Sequence, residues 1–177
     1  TKPSPASNAK AHMTRMCLLS VVGRIVALAN RVEGGMARIQ IESPSAFDYS
    51  VDLPLYAVHM NTAGHLDHAM LWTLVAEGKV RFFRSLGYKL GQIDGVGYLA
   101  ADGAVQYRSE AFHGEVLRVS MAPREFNKYG FDLCWRLSEV ETGREVARGK
   151  TGIICFDYMA KKPVGVPAGF LERFGGR

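Results

Sequence analysis

The stretch "HMNTAGHLDHAMLWTLVAEGKVRFFRSLG", His59 to Gly87, decides how this chain is read. Its first part gathers His59, Asn61, His65, Asp67 and His68 around a single glycine, Gly64. Asp67 stands where an N-cap belongs, with a side-chain oxygen for the first free amides of a helix. From His68 the sequence has the length of a helix running to Leu86 and closing at Gly87, a residue suited to a helix end. Ala69, Met70, Leu71, Trp72, Leu74, Val75, Ala76, Val80, Phe82 and Phe83 leave scarcely a polar side, so the helix is expected to be buried all round. One carboxylate, Glu77, sits among them.

Working outward, Ser45 to His59 reads as extended chain interrupted at Pro54. After the helix come four strand-like runs. Val96–Arg108 and Gly114–Ala122 form the first pair. In "FDLCWRLSEV", Phe131, Leu133, Trp135 and Leu137 alternate with polar neighbours, the period of a half-buried strand. "ETGR", 141–144, turns the chain into the last run, Glu145–Phe156. Strands without intervening helices imply an antiparallel sheet. The expected fold is therefore α+β, with five antiparallel strands wrapped around one long central helix.

Composition bounds the function. The chain has 177 residues, 47% apolar and 22% charged, the profile of a globular protein with one sizeable domain. The net charge of +5 suits an anionic partner. No long Lys/Arg run marks a nucleic-acid arm. Three cysteines without a CxxC pair point to a reduced, cytoplasmic protein without structural zinc. No run of 18 apolar residues suggests a membrane span. GxSxG, Walker and GxGxxG patterns are absent.

Residues 1–35 stand apart from an expected domain at 36–177. The first dozen are rich in Ser, Pro, Ala and Lys, as in disordered segments. "MCLLSVVGRIVALAN" resembles a signal peptide ending at Ala27-Leu28-Ala29, though Gly23 and Arg24 interrupt it. It equally reads as a helix, roughly 14–31, docked on the domain. A third reading makes Met36 the natural start, with "MARIQIESP" opening a strand after a Gly34-Gly35 turn.

"NTAGHLDHAMLWTLVAEGKVRFFRSLGY" resembles the hot-dog fold thioesterases of the 4-hydroxybenzoyl-CoA thioesterase type. In those, a polar turn ending in Gly-His leads into a central helix that closes on Phe-x-x-x-Gly. "AVQYRSEAFHGEVLRV", Ala104–Val119, resembles their second hallmark, a strand and polar bend with Gly-Asp/Glu before the next strand. The resemblance runs from about Phe47 to Pro167. It implies hydrolysis of an acyl-CoA or aryl-CoA thioester, with coenzyme A as part of the substrate and no other cofactor. In many members a catalytic Asp precedes the His or Asn at the helix start by seven residues. Here that position is Asn61, and an amide is neither nucleophile nor base. Another branch places the acid about nine residues into the helix, where this chain has Glu77. The resemblance thus implies a catalytic set of Glu77, Asn61, His65 and His68.

The chemistry needs a carboxylate to attack or activate water, and donors for the oxyanion. Helix-start amides from Leu66 to Ala69 are candidate donors. Gly64, Leu66 and Asp67 are expected beside the substrate, and Arg108, Arg118 and Lys150 at its phosphates. Nine residues of helix turn about 900° and rise about 13.5 Å, so Glu77 faces away from His68. Glu77 should therefore meet the helix start of a second subunit, making the protein a homodimer or a dimer of dimers. The plainer readings are an ion pair from Glu77 to Arg81, four residues on, a purely capping Asp67, and solvated surface cations. The histidines match no standard metal spacing. Cys134 and Cys155 read as packing residues. Two other functions stand beside hydrolysis: non-catalytic acyl-thioester binding, and hydration or dehydration with a His/acid pair.

Overall fold

The computed structural model describes residues 39–176; the expectations placed on residues 1–38 lie outside them. From Gln40 onward the chain forms one compact unit. Its strands are β1 (Tyr49–Pro54), β2 (Gln92–Ile93), β3 (Val96–Tyr107), β4 (Val116–Arg124), β5 (Gly130–Glu139), β6 (Glu145–Asp157) and β7 (Lys162–Pro163). The helices are α1 (His68–Ser85) and α2 (Ala168–Phe174), with a 3-10 turn at Ala57–His59. All strand pairs are antiparallel, in the order β1-β4-β5-β6-β3-β2, with β7 beside β6. This is the expected hot-dog arrangement. Its five long strands are extended by two two-residue strands too short to leave a periodic signal.

Alternation along the strands divides the sheet into two faces. Leu117, Val119 and Met121 of β4 and Phe131, Leu133, Trp135 and Leu137 of β5 are all buried. They face α1, whose Gly78 lies so close that an added Cβ would sit 2.8 Å from Val119 and 2.9 Å from Met121. The next residues along, among them Arg118, Ser120, Arg136 and Ser138, project from the opposite face. There the chain from Gln40 to Phe47 crosses the sheet. It is held by Ile41 N–H donating to Gln106 (3.4 Å), by Arg148 donating to the Ile41 carbonyl (3.4 Å) and by Arg124 donating to the Ala46 carbonyl (2.9 Å). Residues 39–44 are not a strand, contrary to the reading of "MARIQIESP".

One further expectation fails, and one element stands outside every expectation. α1 is not buried all round: Leu71, Leu74, Val75, Gly78, Phe82 and Phe83 are buried, but Ala69, Thr73, Ala76, Glu77, Arg81 and Arg84 are exposed. Alanines supplied much of the apparent apolarity, and in a single chain they line an open face. The C-terminal helix α2 was not anticipated, because seven residues between prolines and glycines are too few for periodicity. It matters to the core nonetheless. Phe170 is fully buried between Phe131 and Phe174, at 4.9 Å from each ring. Phe174 reaches Phe82 of α1 at 5.9 Å, so α2 seals the end of the core where α1 finishes.

No helix among the described residues is long and apolar enough to cross a membrane.

Candidate functional site

The polar turn before α1 folds back on itself. Gly64 N–H donates to the Asn61 carbonyl (3.0 Å) and Asn61 N–H to the His65 carbonyl (2.9 Å). Gly64 has φ +80°, a conformation that costs a side chain but not glycine. The Asn61 side chain then locks the turn, its Oδ1 accepting from Ala63 N–H (2.9 Å) and His65 N–H (3.4 Å).

Those two bonds settle the amide's orientation. With Oδ1 committed to backbone donors, Asn61 Nδ2 faces His65 Nδ1 at 3.2 Å as a donor. His65 Nδ1 must accept, so the neutral ring carries its proton on Nε2. Nε2 lies 3.9 Å from Glu110 Oε1. Both side chains are about one quarter to one third exposed, at 33% and 23%. The result is a row of amide, imidazole and carboxylate at the mouth of the turn.

Glu110 was missing from the sequence reading. It lies 45 positions from His65 and arrives through tertiary pairing: His65 bridges to Phe112, and Leu66 N–H donates to the Ala111 carbonyl (2.8 Å). Arg144 fixes that bend from the other side. Its guanidinium donates to the Glu110 carbonyl, to Ser109 Oγ (2.8 Å) and to both oxygens of Glu115 (3.0 and 2.9 Å). Arg144 is presented by a turn organised on the buried Glu139, which accepts from Glu141 N–H (2.9 Å), Thr142 N–H (2.8 Å) and the Thr142 hydroxyl (2.5 Å). Those hydrogen bonds, the Thr142 hydroxyl first, hold the Glu139 carboxyl below its ordinary value.

The helix start differs in detail from expectation. Asp67 is the N-cap and accepts from Ala69 N–H at 2.8 Å. Asp67 N–H donates to the His59 carbonyl (2.9 Å) and Leu66 N–H is likewise taken. Of the expected donors Leu66 to Ala69, only the amide of His68 makes no hydrogen bond among the described residues; Met70 N–H, one position further, is also open. The His68 side chain is 80% exposed, with Nδ1 3.9 Å from Asp67. His59 accepts from Tyr56 N–H (3.0 Å) and serves the fold of the 3-10 turn. Tyr107, at the end of β3, has its hydroxyl pKa raised, first by burial and further by the charge of Asp67.

Glu77 lies elsewhere. It is 47% exposed on the open face of α1, and Arg81 Nε donates to it at 2.6 Å. The buried acid expected from the sequence is therefore an exposed, paired one within a single chain. The expected phosphate contacts are also dispersed. Arg118 makes two 2.8 Å bonds to Asp52, and Lys150 one of 2.5 Å to Asp132, all on the sheet face turned away from α1. Arg108 is exposed just past β3. Asn61, His65, Gly64, Leu66, Asp67 and His68 are thus brought together, while Glu77, Arg118 and Lys150 are not.

Burial raises the Cys155 thiol to about 11, so it is inert packing. Cys134 is shifted upward by the same cause. Among the described residues, no three His, Cys, Asp or Glu side chains gather in a metal-binding group.

No curated protein matches the chain in sequence. Its fold resembles solved structures closely. A 1,4-dihydroxy-2-naphthoyl-CoA thioesterase from Synechocystis superposes with a TM-score of 0.63 at 16% identity, covering 69% of this chain and 91% of that one. A thioesterase from Thermus thermophilus complexed with coenzyme A and Zn gives 0.62 at 16% identity, covering 72% and 98%. At such identities the likeness concerns the fold. Residues 56–174 match the family model of the thioesterase-like superfamily, and this chain belongs to that superfamily.

Proposed function

We propose that the protein hydrolyses acyl-CoA or aryl-CoA thioesters at a site shared between two copies. The observation that carries this reading is the open face of α1 lying next to a free sheet edge. β2 pairs with β3 only at Val96 and Gly97, so from Leu99 to Tyr107 the outer edge of β3 has no strand beside it among the described residues. An unpaired edge is a template for another strand. Trp72 packs on Gly103 of that edge, 2.9 Å from where a Cβ would stand, and so joins the edge to α1. A second copy paired along β3 brings its own α1 alongside this one. Glu77 of one copy then approaches the turn of the other.

In this reading the thioester carbonyl lies at the start of α1, where the free amides of His68 and Met70 and the helix dipole receive the developing oxyanion. Glu77 attacks or activates water. His65 holds the thioester or the water, and Asn61 and Glu110 fix its tautomer and orientation. Membership of the thioesterase-like superfamily supports the reaction class, and the coenzyme A held by the Thermus thermophilus structure supports the ligand class. The amide at Asn61 supports a second reading, acyl-thioester binding without turnover. A hydrolysis screen over aliphatic and aryl CoA thioesters separates the two. Release of free CoA by the wild-type protein, lost in Glu77→Gln, supports hydrolysis. Saturable binding of a CoA thioester without CoA release supports the second reading.

A further inference from the structure

The face of the sheet turned away from α1 is a row of ion pairs with one member left out. Arg118 is bonded to Asp52, Arg124 to Asp48, Arg148 to Glu145 and Lys150 to Asp132. Arg136, at the centre of β5, has no carboxylate within ion-pair distance among the described residues. Its Nε is buried without a hydrogen-bond partner. Its guanidinium instead lies over the ring of Phe47 at 4.8 Å, which fixes the fork by cation–π contact while leaving its donors unused.

Two concavities meet at this side chain. One, of about 270 Å³, lies among Arg118, Ser138, Glu139 and Glu145. The other, of about 530 Å³ and open to the surface, lies among Ser45, Phe47, Asp48 and Ser50. Arg136 and Ser120 line both. The carboxylates at the rim do not oppose an anion. Glu139 is committed to its turn, Asp48 is paired with Arg124 at 2.7 Å, and Glu145 is neutralised by two bonds from Arg148 at 2.5 and 2.7 Å. The Glu145 carboxyl is held low by Arg148 first, with Arg108 and Arg136 adding to the effect, so cations outnumber acids around it.

We propose that this groove is a binding site for a phosphoryl group, held by the planar fork of Arg136 with the hydroxyls of Ser120 and Ser138. A guanidinium matches two phosphate oxygens at once, and serine hydroxyls donate to a third. The phosphoryl group belongs either to free orthophosphate or to a larger phosphate ester, for which the second concavity gives room.

The test is NMR titration of the full chain with inorganic phosphate, AMP and adenosine at constant ionic strength. The Arg136 Nε–H resonance and the amides of Ser120 and Ser138 report the site directly. Phosphate and AMP should produce saturable shifts there, and adenosine none. Similar affinities for the first two indicate a free-anion site; AMP at least tenfold tighter indicates a phosphate ester. Arg136→Met should weaken binding at least tenfold, the loss of a bidentate charge-assisted pair. Arg84→Met, removing an exposed cation on α1, should leave it unchanged. Ser138→Asp keeps Arg136 in place but puts a carboxylate in the groove, and should also abolish binding if Arg136→Met does not fold. Shifts that fail to saturate with phosphate, adenosine binding as well as AMP, or an unaltered titration in Ser138→Asp would each overturn the proposal.

Discussion

The two parts of the proposed site are built in opposite ways. The corner of Asn61, His65 and Glu110 is complete within one chain and locked at several levels. Glu139 organises a turn, the turn presents Arg144, Arg144 pins the 109–115 bend, and the bend carries Glu110 to His65. The face of α1 bearing Glu77 has no such support. Among the described residues its carboxylate pairs only with Arg81, one helical turn away, and is 47% exposed. A surface i,i+4 pair contributes a few tenths of a kcal/mol, so little in the single chain explains an acid there. The difference teaches that the corner is held by the single chain alone, whereas the role proposed for Glu77 rests on a second copy covering its face.

Four substitutions break or sharpen that contrast. The largest effect is expected at Glu77. Glu77→Gln should lower turnover of a CoA thioester by about a hundredfold or more, the scale of a lost general base, while the melting temperature barely moves. An unchanged rate in folded Glu77→Gln protein would return Glu77 to the surface. Next comes Glu110→Gln, which keeps the shape but removes the charge facing His65 Nε2. About tenfold loss in kcat is expected from removing the negative charge that faces His65 Nε2 at 3.9 Å. If Glu110→Gln proves the more damaging of the two, the base lies in the corner and not on α1.

Arg144→Met tests whether the corner depends on its scaffold. It removes the charged donor from the partly buried Glu115, which keeps the Phe112 N–H at 3.0 Å, and from the Glu110 carbonyl, which should cost about 2–3 kcal/mol of stability by the scale of a broken charge-assisted network. Denaturant unfolding measures this, and activity should fall with it. An active, fully stable Arg144→Met protein would show that the bend holds itself.

The smallest effect lies one step further back, at Glu139. Its folded pKa is depressed, so between the two pKa values the unfolded chain binds the extra proton. Its stabilisation is complete above the unfolded value of about 4.5 and is lost as pH falls through the folded value. Glu139→Gln should remove about 1–2 kcal/mol at neutral pH by the loss of charge-assisted bonds. It should also flatten the acid limb of the stability curve. A variant with the same acid limb as wild type would place that pH dependence on other carboxylates.

The sequence made the scaffold legible where periodicity is strong. The long helix from His68 and the alternating β5 are found within a residue or two of their expected bounds. It also placed Asn61, His65, Asp67 and His68 together, since a tight turn and an N-cap are local events. Glu110 was not legible, because a bend 45 residues away is joined to His65 by backbone pairing and by Arg144, and no short-range pattern encodes that. The exposure of Glu77 was obscured for a different reason: alanine counts as apolar whether it meets a core or lines an open face. The outward phase of Arg118 and Lys150 was readable, since each alternates with buried neighbours.

The central claim is that one copy's Glu77 works on the other copy's turn, and mixing two inactive variants tests it most directly. Glu77→Gln protein and an Asn61→Ala/His65→Ala double variant are each expected to be inactive toward a CoA thioester. Co-expressed with separable tags, they should form mixed dimers in which one of the two sites is intact. In an equal statistical mixture about a quarter of the wild-type rate should return, because half the dimers are mixed and each holds one native site of two. A mixed dimer, isolated through both tags and as inactive as its parents, would contradict the shared site and confine the chemistry to a single chain.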